Sequence, residues 1–84
     1  MKNKDYNIIV GQSLKKLREI KGMSQADIGA IINVGKNTIS QYENAKRKIK
    51  INDLCEIADK FNVPLDWFTG RNNEIDKKLK GEKD

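Results

Sequence analysis

A short stretch of the sequence places hydrogen-bonding side chains in a row at helical spacing. The segment 36–43, KNTISQYE, contains only two apolar residues, Ile39 and Tyr42, which stand three positions apart. This spacing predicts a helix that is anchored by these two side chains and exposes the others. The exposed side chains are Lys36, Asn37, Thr38, Ser40 and Gln41. Amide, ammonium and hydroxyl groups hydrogen-bond in defined directions, so this helix is suited to recognising another molecule.

The residue types on which most catalytic sites depend are scarce. There is no histidine in the 84 residues, which excludes a catalytic pair of nucleophile and histidine. The single cysteine, Cys55, can form neither an intrachain disulfide nor a zinc site, and its neighbours Leu54 and Ile57 predict a small buried residue rather than a reactive thiol. No cluster of titratable residues suits catalysis. We therefore predict that the protein is not an enzyme and uses no metal or cofactor; no small-molecule ligand is evident from the sequence, which leaves an inducer open.

The basic residues are concentrated in one part of the chain. The net charge is +5, but residues 1–50 carry eleven basic against four acidic residues, a net of +7, whereas residues 51–70 carry one against four, a net of −3. Such asymmetry is typical of a surface that binds a polyanion. A solvated charged face is the alternative. The length indicates one small domain, and no apolar run approaches the ~20 residues of a membrane span. No signal peptide is evident, so a cytoplasmic protein without a membrane partner is expected.

A second predicted helix must position the polar one. Ile28, Ile31 and Ile32 recur at helical spacing after Gln25, and Ser24 with Asp27 forms a weak capping box. Gly29 inside this helix predicts that another backbone passes close by, at a crossing of two helices, because glycine there costs about 1 kcal/mol relative to alanine. Asn33 tolerates the left-handed conformation that would end the helix.

The flanking elements are also predicted as helices. A first helix runs from about residue 7 to 21 and ends at Gly22; a fourth spans about 51–62, with Ile51, Leu54, Cys55, Ala58 and Phe61 on its apolar face. Pro64 opens a short fifth helix, LDWFT, which Gly70 closes. The sequence leaves open whether Ala45, after the polar helix, adopts a positive φ.

Three consecutive blocks of the sequence follow one known pattern. The segments LKKLREIKGMSQADIG, TISQYENAKR and IADKFNVPLDWFTG, in this order and with the usual spacings, resemble the phage repressor and Cro-type (XRE-like) helix-turn-helix DNA-binding family over about residues 8–70. The resemblance implies an all-α fold, a five-helix lambda-repressor-like domain at 1–70. A charged tail at 71–84 follows, partly helical or disordered, with Ile75 and Leu79 as its only apolar residues.

The resemblance also assigns roles to individual residues. It implies that the third helix enters the major groove of double-stranded DNA, with bases read by Lys36, Asn37, Thr38, Gln41 and Gln25. Contacts with phosphates are expected from Ser40, Asn44, Lys46, Arg47 and Lys48. Arg18 is expected to pair with Glu43 and hold the third helix against the first; the alternative is a pair of ordinary surface charges.

The function that follows is a sequence-specific transcriptional regulator, a repressor more often than an activator in this family. It would bind a near-palindromic operator as a homodimer, with Leu65, Trp67 and Phe68 in the dimer interface. For Trp67 the alternative is a place in the core of its own subunit. The alternative function keeps the fold as a protein-interaction module, for example an antitoxin or a regulatory partner.

Overall fold

Every regular element in the computed structural model is an α-helix, within the described residues 5–72, 74–79 and 81. The helices are α1 (Tyr6–Ile20), α2 (Gln25–Ile31), α3 (Lys36–Glu43), α4 (Ile51–Phe61), α5 (Leu65–Phe68) and α6 (Ile75–Leu79). The all-α class and the order of the first five helices are confirmed. The sixth helix lies in the segment predicted as a tail, of which residues 73, 80 and 82–84 lie outside the described part, as do residues 1–4 of the predicted domain.

One apolar core joins all six helices. The fully buried side chains come from five different helices and are Leu14, Leu17, Ile28, Ile39, Ile57 and Phe68. α1 packs on α3 and α5, while α2 packs on α3 and α4, so α3 lies between the first two helices. With only Ile39 and Tyr42 as buried apolar residues, α3 contributes little to this core and depends on its neighbours for its position.

Local sequence signals fix the helix that precedes α3. Ser24 and Asp27 form a complete capping box, in which the Asp27 N–H donates to Ser24 Oγ and the Ser24 N–H donates to Asp27 Oδ2, both at 3.0 Å. The backbone and side-chain hydrogen bonds from Ser24 lower the pKa of Asp27 below its ordinary value. Asn33 has a φ of 64°, so the predicted left-handed residue does end α2.

Two glycines let backbones pass each other closely around α3. A Cβ on Gly29 would overlap the carbonyl oxygen of Val34, which confirms that another backbone lies against this glycine. That backbone belongs to the turn that follows α2 rather than to a crossing helix. A Cβ on Gly11 would overlap the carbonyl oxygen of Tyr42 and lie 2.9 Å from that of Glu43. α1 therefore crosses the end of α3 at Gly11, a contact that the sequence did not reveal.

Some predictions about side-chain burial were wrong. Ile51 was placed on the apolar face of α4, but it is 64% exposed, because it is the first residue of the helix and lies at its end rather than within the packed part of that face. Cys55 is half-buried rather than buried. Ala45 has a φ of 57°, which answers the question left open by the sequence: this alanine is in the left-handed region and is strained there.

The short helix α6 packs on the domain instead of extending away from it. Leu79 is buried in the core and Ile75 packs against it. The Asp76 carboxylate accepts a hydrogen bond from Trp67 Nε1 at 2.6 Å and pairs with Lys16 Nζ at 2.7 Å. α6 is thus joined to α5 and α1 by polar as well as apolar contacts.

Candidate nucleic-acid interface

The outward face of α3 is built from residues that recur at helical spacing. Exposed or half-buried side chains stand at positions 36, 37, 40, 41 and 44, which share one side of a helix, whereas Ile39, Tyr42 and Glu43 turn to the interior. Thr38 is half-buried at the edge of the exposed face. The structure therefore presents three amides, an ammonium group and hydroxyl groups side by side. Their exposure is observed; their contacts with DNA stay a prediction.

Ser40 and Asn44 interact with each other one helical turn apart. Asn44 Nδ2 donates to the Ser40 carbonyl oxygen at 2.9 Å and approaches Ser40 Oγ at 3.4 Å. Because Ser40 Oγ accepts in this contact, its own proton is available to a phosphate oxygen. The amide nitrogen of Asn44 faces its own helix, so a phosphate contact by Asn44 requires a rotation of that side chain.

A basic loop, residues 45–50, follows α3 directly. The N–H groups of Lys46 and Arg47 both donate to the Gln41 carbonyl oxygen, at 2.8 and 3.3 Å, so the loop folds back on the end of the helix. Its cations are all exposed and, among the described residues, form no ion pair: Lys46, Arg47, Lys48 and Lys50. Unpaired cations beside an outward recognition helix suit contact with a polyanion.

The ion pair implied by the resemblance is present in the structure. Arg18 Nε donates to Glu43 Oε2 at 2.7 Å, and Arg18 Nη2 donates to Glu43 Oε1 at 3.2 Å. The side chains are 15% and 3% exposed, so these are not ordinary surface charges. The hydrogen bond to Glu43 raises the pKa of Arg18 above its ordinary value. The pair ties the end of α3 to α1, close to the Gly11 crossing.

Gln25, the first residue of α2, forms a hydrogen bond with the same ion pair. Its Nε2 donates to Glu43 Oε1 at 3.1 Å, while the Arg18 guanidinium also donates to the Met23 carbonyl oxygen at 3.1 Å. The sequence singled out Gln25 as a residue for DNA contact and Glu43 as a partner of Arg18, but it did not connect the two. Eighteen positions separate them, and no local pattern reports a contact over that distance.

The three residues predicted for a dimer interface differ in exposure. Leu65 is 40% exposed, whereas Trp67 and Phe68 are buried within their own chain at 3% and 0%. The two rings meet edge to face with centroids 5.1 Å apart. Trp67 therefore takes the alternative place, in the core of its own chain, and of the three residues only Leu65 has a well-exposed side chain.

The described residues contain neither a candidate metal site nor a candidate membrane span. No group of cysteine, aspartate and glutamate side chains in residues 5–72, 74–79 and 81 is arranged to hold a metal ion. In the same part of the chain, no helix has the length and apolar character needed to cross a membrane.

The chain is similar to known proteins in both sequence and structure. The chain is 30% identical over 69 residues to the HTH-type transcriptional regulator ImmR of Bacillus subtilis (strain 168), covering 82% of this chain and 54% of ImmR. It is 29% identical over 55 residues to Antitoxin PezA of Streptococcus pneumoniae serotype 4, covering 66% of this chain and 35% of PezA. The chain thus spans about half the length of these curated relatives, or less.

A solved structure shares the arrangement of the helices. The restriction-modification controller protein C.AhdI from Aeromonas hydrophila superposes with a TM-score of 0.66 at 19% identity, over 74% of this chain and 94% of C.AhdI. At this identity the likeness concerns the fold alone. The family model HTH_3, described as helix-turn-helix, matches residues 14–68, more than half of the chain and all of α2, the turn and α3. The chain therefore belongs to the phage repressor and Cro-type helix-turn-helix family of DNA-binding regulators.

Proposed function

We propose that this chain is a sequence-specific transcriptional repressor that binds a near-palindromic operator as a homodimer. The observation that carries the proposal is the outward polar face of α3, followed directly by the four exposed cations of the basic loop. An amide-bearing helix without neighbouring cations would fit many partners. A helix that presents both, in a family of DNA-binding regulators, fits the edges of bases between two phosphate backbones.

The side chains of α3 match the groups that the major groove displays. Asn37 and Gln41 each carry one donor and one acceptor in a plane, the arrangement that adenine N7 and N6 take in a bidentate contact. Lys36 can donate to guanine N7 and O6, and the methyl group of Thr38 can contact that of thymine. Gln25, at the start of α2, is the fifth proposed base contact.

The backbone contacts are assigned to Ser40 and the basic loop. Lys46, Arg47 and Lys48 are exposed and unpaired with any other described residue, so they can approach phosphates without breaking an ion pair. Each phosphate neutralised by a cation releases condensed counterions, so binding should weaken steeply with salt. Asn44 is also proposed to contact a phosphate, which requires its amide to rotate away from Ser40.

Dimerisation is part of the proposal because one α3 spans few base pairs. A two-fold dimer sets two recognition helices about 34 Å apart, one turn of DNA, and so requires a near-palindromic site. Exposed apolar side chains support such an interface: Leu65 at the start of α5 is 40% exposed, and Ile51 at the start of α4 is 64% exposed. We assign Leu65 to the interface.

The first experiment selects binding sites from a randomised duplex library with the purified chain at ~150 mM salt. Enrichment of a two-fold symmetric motif is the expected result and yields the operator in the same step. Weak binding that depends on salt but enriches no motif would contradict sequence-specific recognition. A promoter carrying the enriched motif, fused to a reporter, then distinguishes repression from activation.

Two variants separate reading of bases from attraction to phosphates. Gln41→Ala should cost about 1–3 kcal/mol of binding free energy on the operator and relax preference at one symmetric pair of positions. Arg47→Ala should weaken binding to all duplexes alike and reduce the salt slope by about one. Both are measured by titration of labelled operator and scrambled duplexes at several salt concentrations. An unchanged site preference in Gln41→Ala would contradict the placement of α3 in the groove.

A second candidate function is a protein-interaction module, favoured by the similarity to Antitoxin PezA. The acidic residues of α4, including Glu56 and Asp59, and the exposed Leu65 could contact a protein partner. This function would be supported over the first if the chain captured one protein in a manner insensitive to salt and failed to shift any duplex.

A further inference from the structure

The carboxylate of Glu43 receives hydrogen bonds from two parts of the molecule at once. Arg18 donates to both of its oxygens, at 2.7 and 3.2 Å, and Gln25 Nε2 donates to Oε1 at 3.1 Å. Its side chain is 3% exposed, so water contributes little to its solvation. Glu43 is the last residue of α3 and Gln25 the first of α2, which places this contact at the two ends of the helix-turn-helix.

The chemistry of a carboxylate fixes the orientation of the Gln25 amide. An ionised carboxylate only accepts hydrogen bonds, so the amide must turn its nitrogen, and not its oxygen, towards Glu43. One N–H is used in this bond, which leaves the second N–H and Oε1 for other partners. Gln25 is half-buried rather than enclosed, so these two groups can be reached from outside.

The ion pair also removes an electrostatic obstacle to binding. An isolated carboxylate beside Gln25 would repel the phosphates of an approaching duplex. Arg18 neutralises that charge and is itself held by the Met23 carbonyl oxygen at 3.1 Å. The resulting network is neutral, so it can orient the amide without adding negative charge to a surface that must meet DNA.

We propose that Glu43 is a positioning residue for DNA recognition, which presents the Gln25 amide in one orientation to a base. This inference rests on the proposed function. The outward pair of one acceptor and one donor matches the N6 amino group and N7 of adenine. A phosphate would use only the free N–H, because its oxygens only accept hydrogen bonds and leave Oε1 of the amide without a donor. Gln25 therefore reads an adenine, and Glu43 sets the angle at which it does so.

The binding test compares the effect of Gln25→Ala in two backgrounds. The second background replaces the ion pair by two apolar side chains, Arg18→Met with Glu43→Met, a change that folded proteins often tolerate because no charge is left unpaired. In the wild-type background, Gln25→Ala should lower operator affinity about tenfold and relax the base preference at one symmetric pair of operator positions. In the apolar background the same change should alter affinity by less than about twofold, since the orienting acceptor is already gone.

Gln41→Ala serves as the matched control in both backgrounds. The side-chain partners of Glu43 are Arg18 and Gln25, not Gln41, and the two methionines keep α3 packed on α1 by apolar contacts. Loss of Gln41 should therefore cost the same factor with and without the ion pair. Equal effects of Gln25→Ala in the two backgrounds would overturn the inference, as would a loss of affinity that is uniform across sequences. If Gln41→Ala has no effect in either background, the failure lies in the proposed function instead.

A measurement on the free wild-type protein tests the orientation without any variant. The side-chain amide of Gln25 should show ¹⁵N relaxation as restricted as that of the rigid backbone, with an order parameter of about 0.85. The exposed amides of Gln12 and Gln41 provide the reference for mobile glutamine side chains. If Gln25 is as mobile as these two, Glu43 does not position it.

Discussion

α3 and α4 are helices of similar length in the same domain, but different interactions hold them in place. α4 buries the apolar side chains of Leu54, Ile57 and Ala58 and turns acidic residues outward. Most side chains of α3 are polar, and its buried residues include the charged Glu43. The difference teaches that a recognition helix with few apolar anchors is positioned by backbone contacts and a buried ion pair.

The largest expected effect comes from removing the polar anchor of α3. Glu43→Ala should lower the free energy of unfolding by about 3 kcal/mol, since Arg18 then lacks its partner. The lower end of the usual range applies because the Arg18 side chain is 15% exposed and can turn towards water. Urea denaturation measures the change. Ile57→Ala, which removes an apolar anchor of α4, should cost a similar amount, about 2–5 kcal/mol.

Glu56→Ala is the matched control for the first prediction. Glu56 is an exposed carboxylate on α4, so its removal should change the free energy of unfolding by less than about 0.5 kcal/mol. If Glu43→Ala were as mild as Glu56→Ala, the ion pair would not anchor α3.

The crossing of α1 and α3 gives the next largest effect. Gly11→Ala would place a Cβ against the backbone of Tyr42 and within 2.9 Å of the Glu43 carbonyl oxygen. Although alanine favours helix by about 1 kcal/mol, we expect a net loss of about 1–3 kcal/mol because two backbones must separate. Thermal unfolding measures this loss. Gln12→Ala, at the exposed neighbouring position, should be close to neutral; a Gly11→Ala variant as stable as wild type would show that the crossing can relax freely.

A smaller effect of opposite sign is expected at Ala45. With a φ of 57°, alanine is strained by about 1–2 kcal/mol, whereas glycine adopts this conformation freely. After the greater entropy of glycine in the unfolded state is subtracted, Ala45→Gly should stabilise the protein by about 0.5–1 kcal/mol. Ala30→Gly, the same change at an exposed position of α2, should destabilise by about 1 kcal/mol. Chemical denaturation measures both changes. If the two variants changed the free energy of unfolding in the same direction, the strain at Ala45 would be contradicted.

The smallest expected effect is a dependence on pH at the start of α2. Because the pKa of Asp27 is lowered in the folded state, its contribution to stability is present above the ordinary aspartate pKa and is lost as pH falls through the folded value. Wild type and Asp27→Asn should therefore differ in melting temperature at neutral pH and converge in acid. A difference that grows in acid would contradict the capping box as its origin.

The sequence predicted what depends on neighbouring residues. The anchors of α3, the capping box of Ser24 and the left-handed Asn33 are all set within a few positions, and each is present in the structure. Ile51 was assigned wrongly because helical periodicity gives the direction of a side chain but not where the covering helices end.

What the sequence missed involves residues far apart in the chain. The Gly11 crossing, the bond between Gln25 and Glu43 and the packing of α6 each join residues that no periodic pattern connects. From its sequence alone, a charged segment with two apolar residues resembles a solvated tail. The structure shows instead that Asp76 pairs with Lys16 and accepts a hydrogen bond from Trp67. The roles of the α3 side chains rest on family resemblance and chemistry, since exposure alone does not identify a ligand.

The hydrogen bond from Trp67 to Asp76 gives the molecule a built-in optical reporter. Trp67 is the only tryptophan in the chain, and its indole N–H is bonded to α6 at 2.6 Å. Undocking of α6 would expose the ring to water, so the emission should shift to longer wavelength even if α1–α4 stay folded. Fluorescence and helical circular dichroism, followed along one denaturation, would therefore register separately the release of the last helix and the melting of the domain it covers.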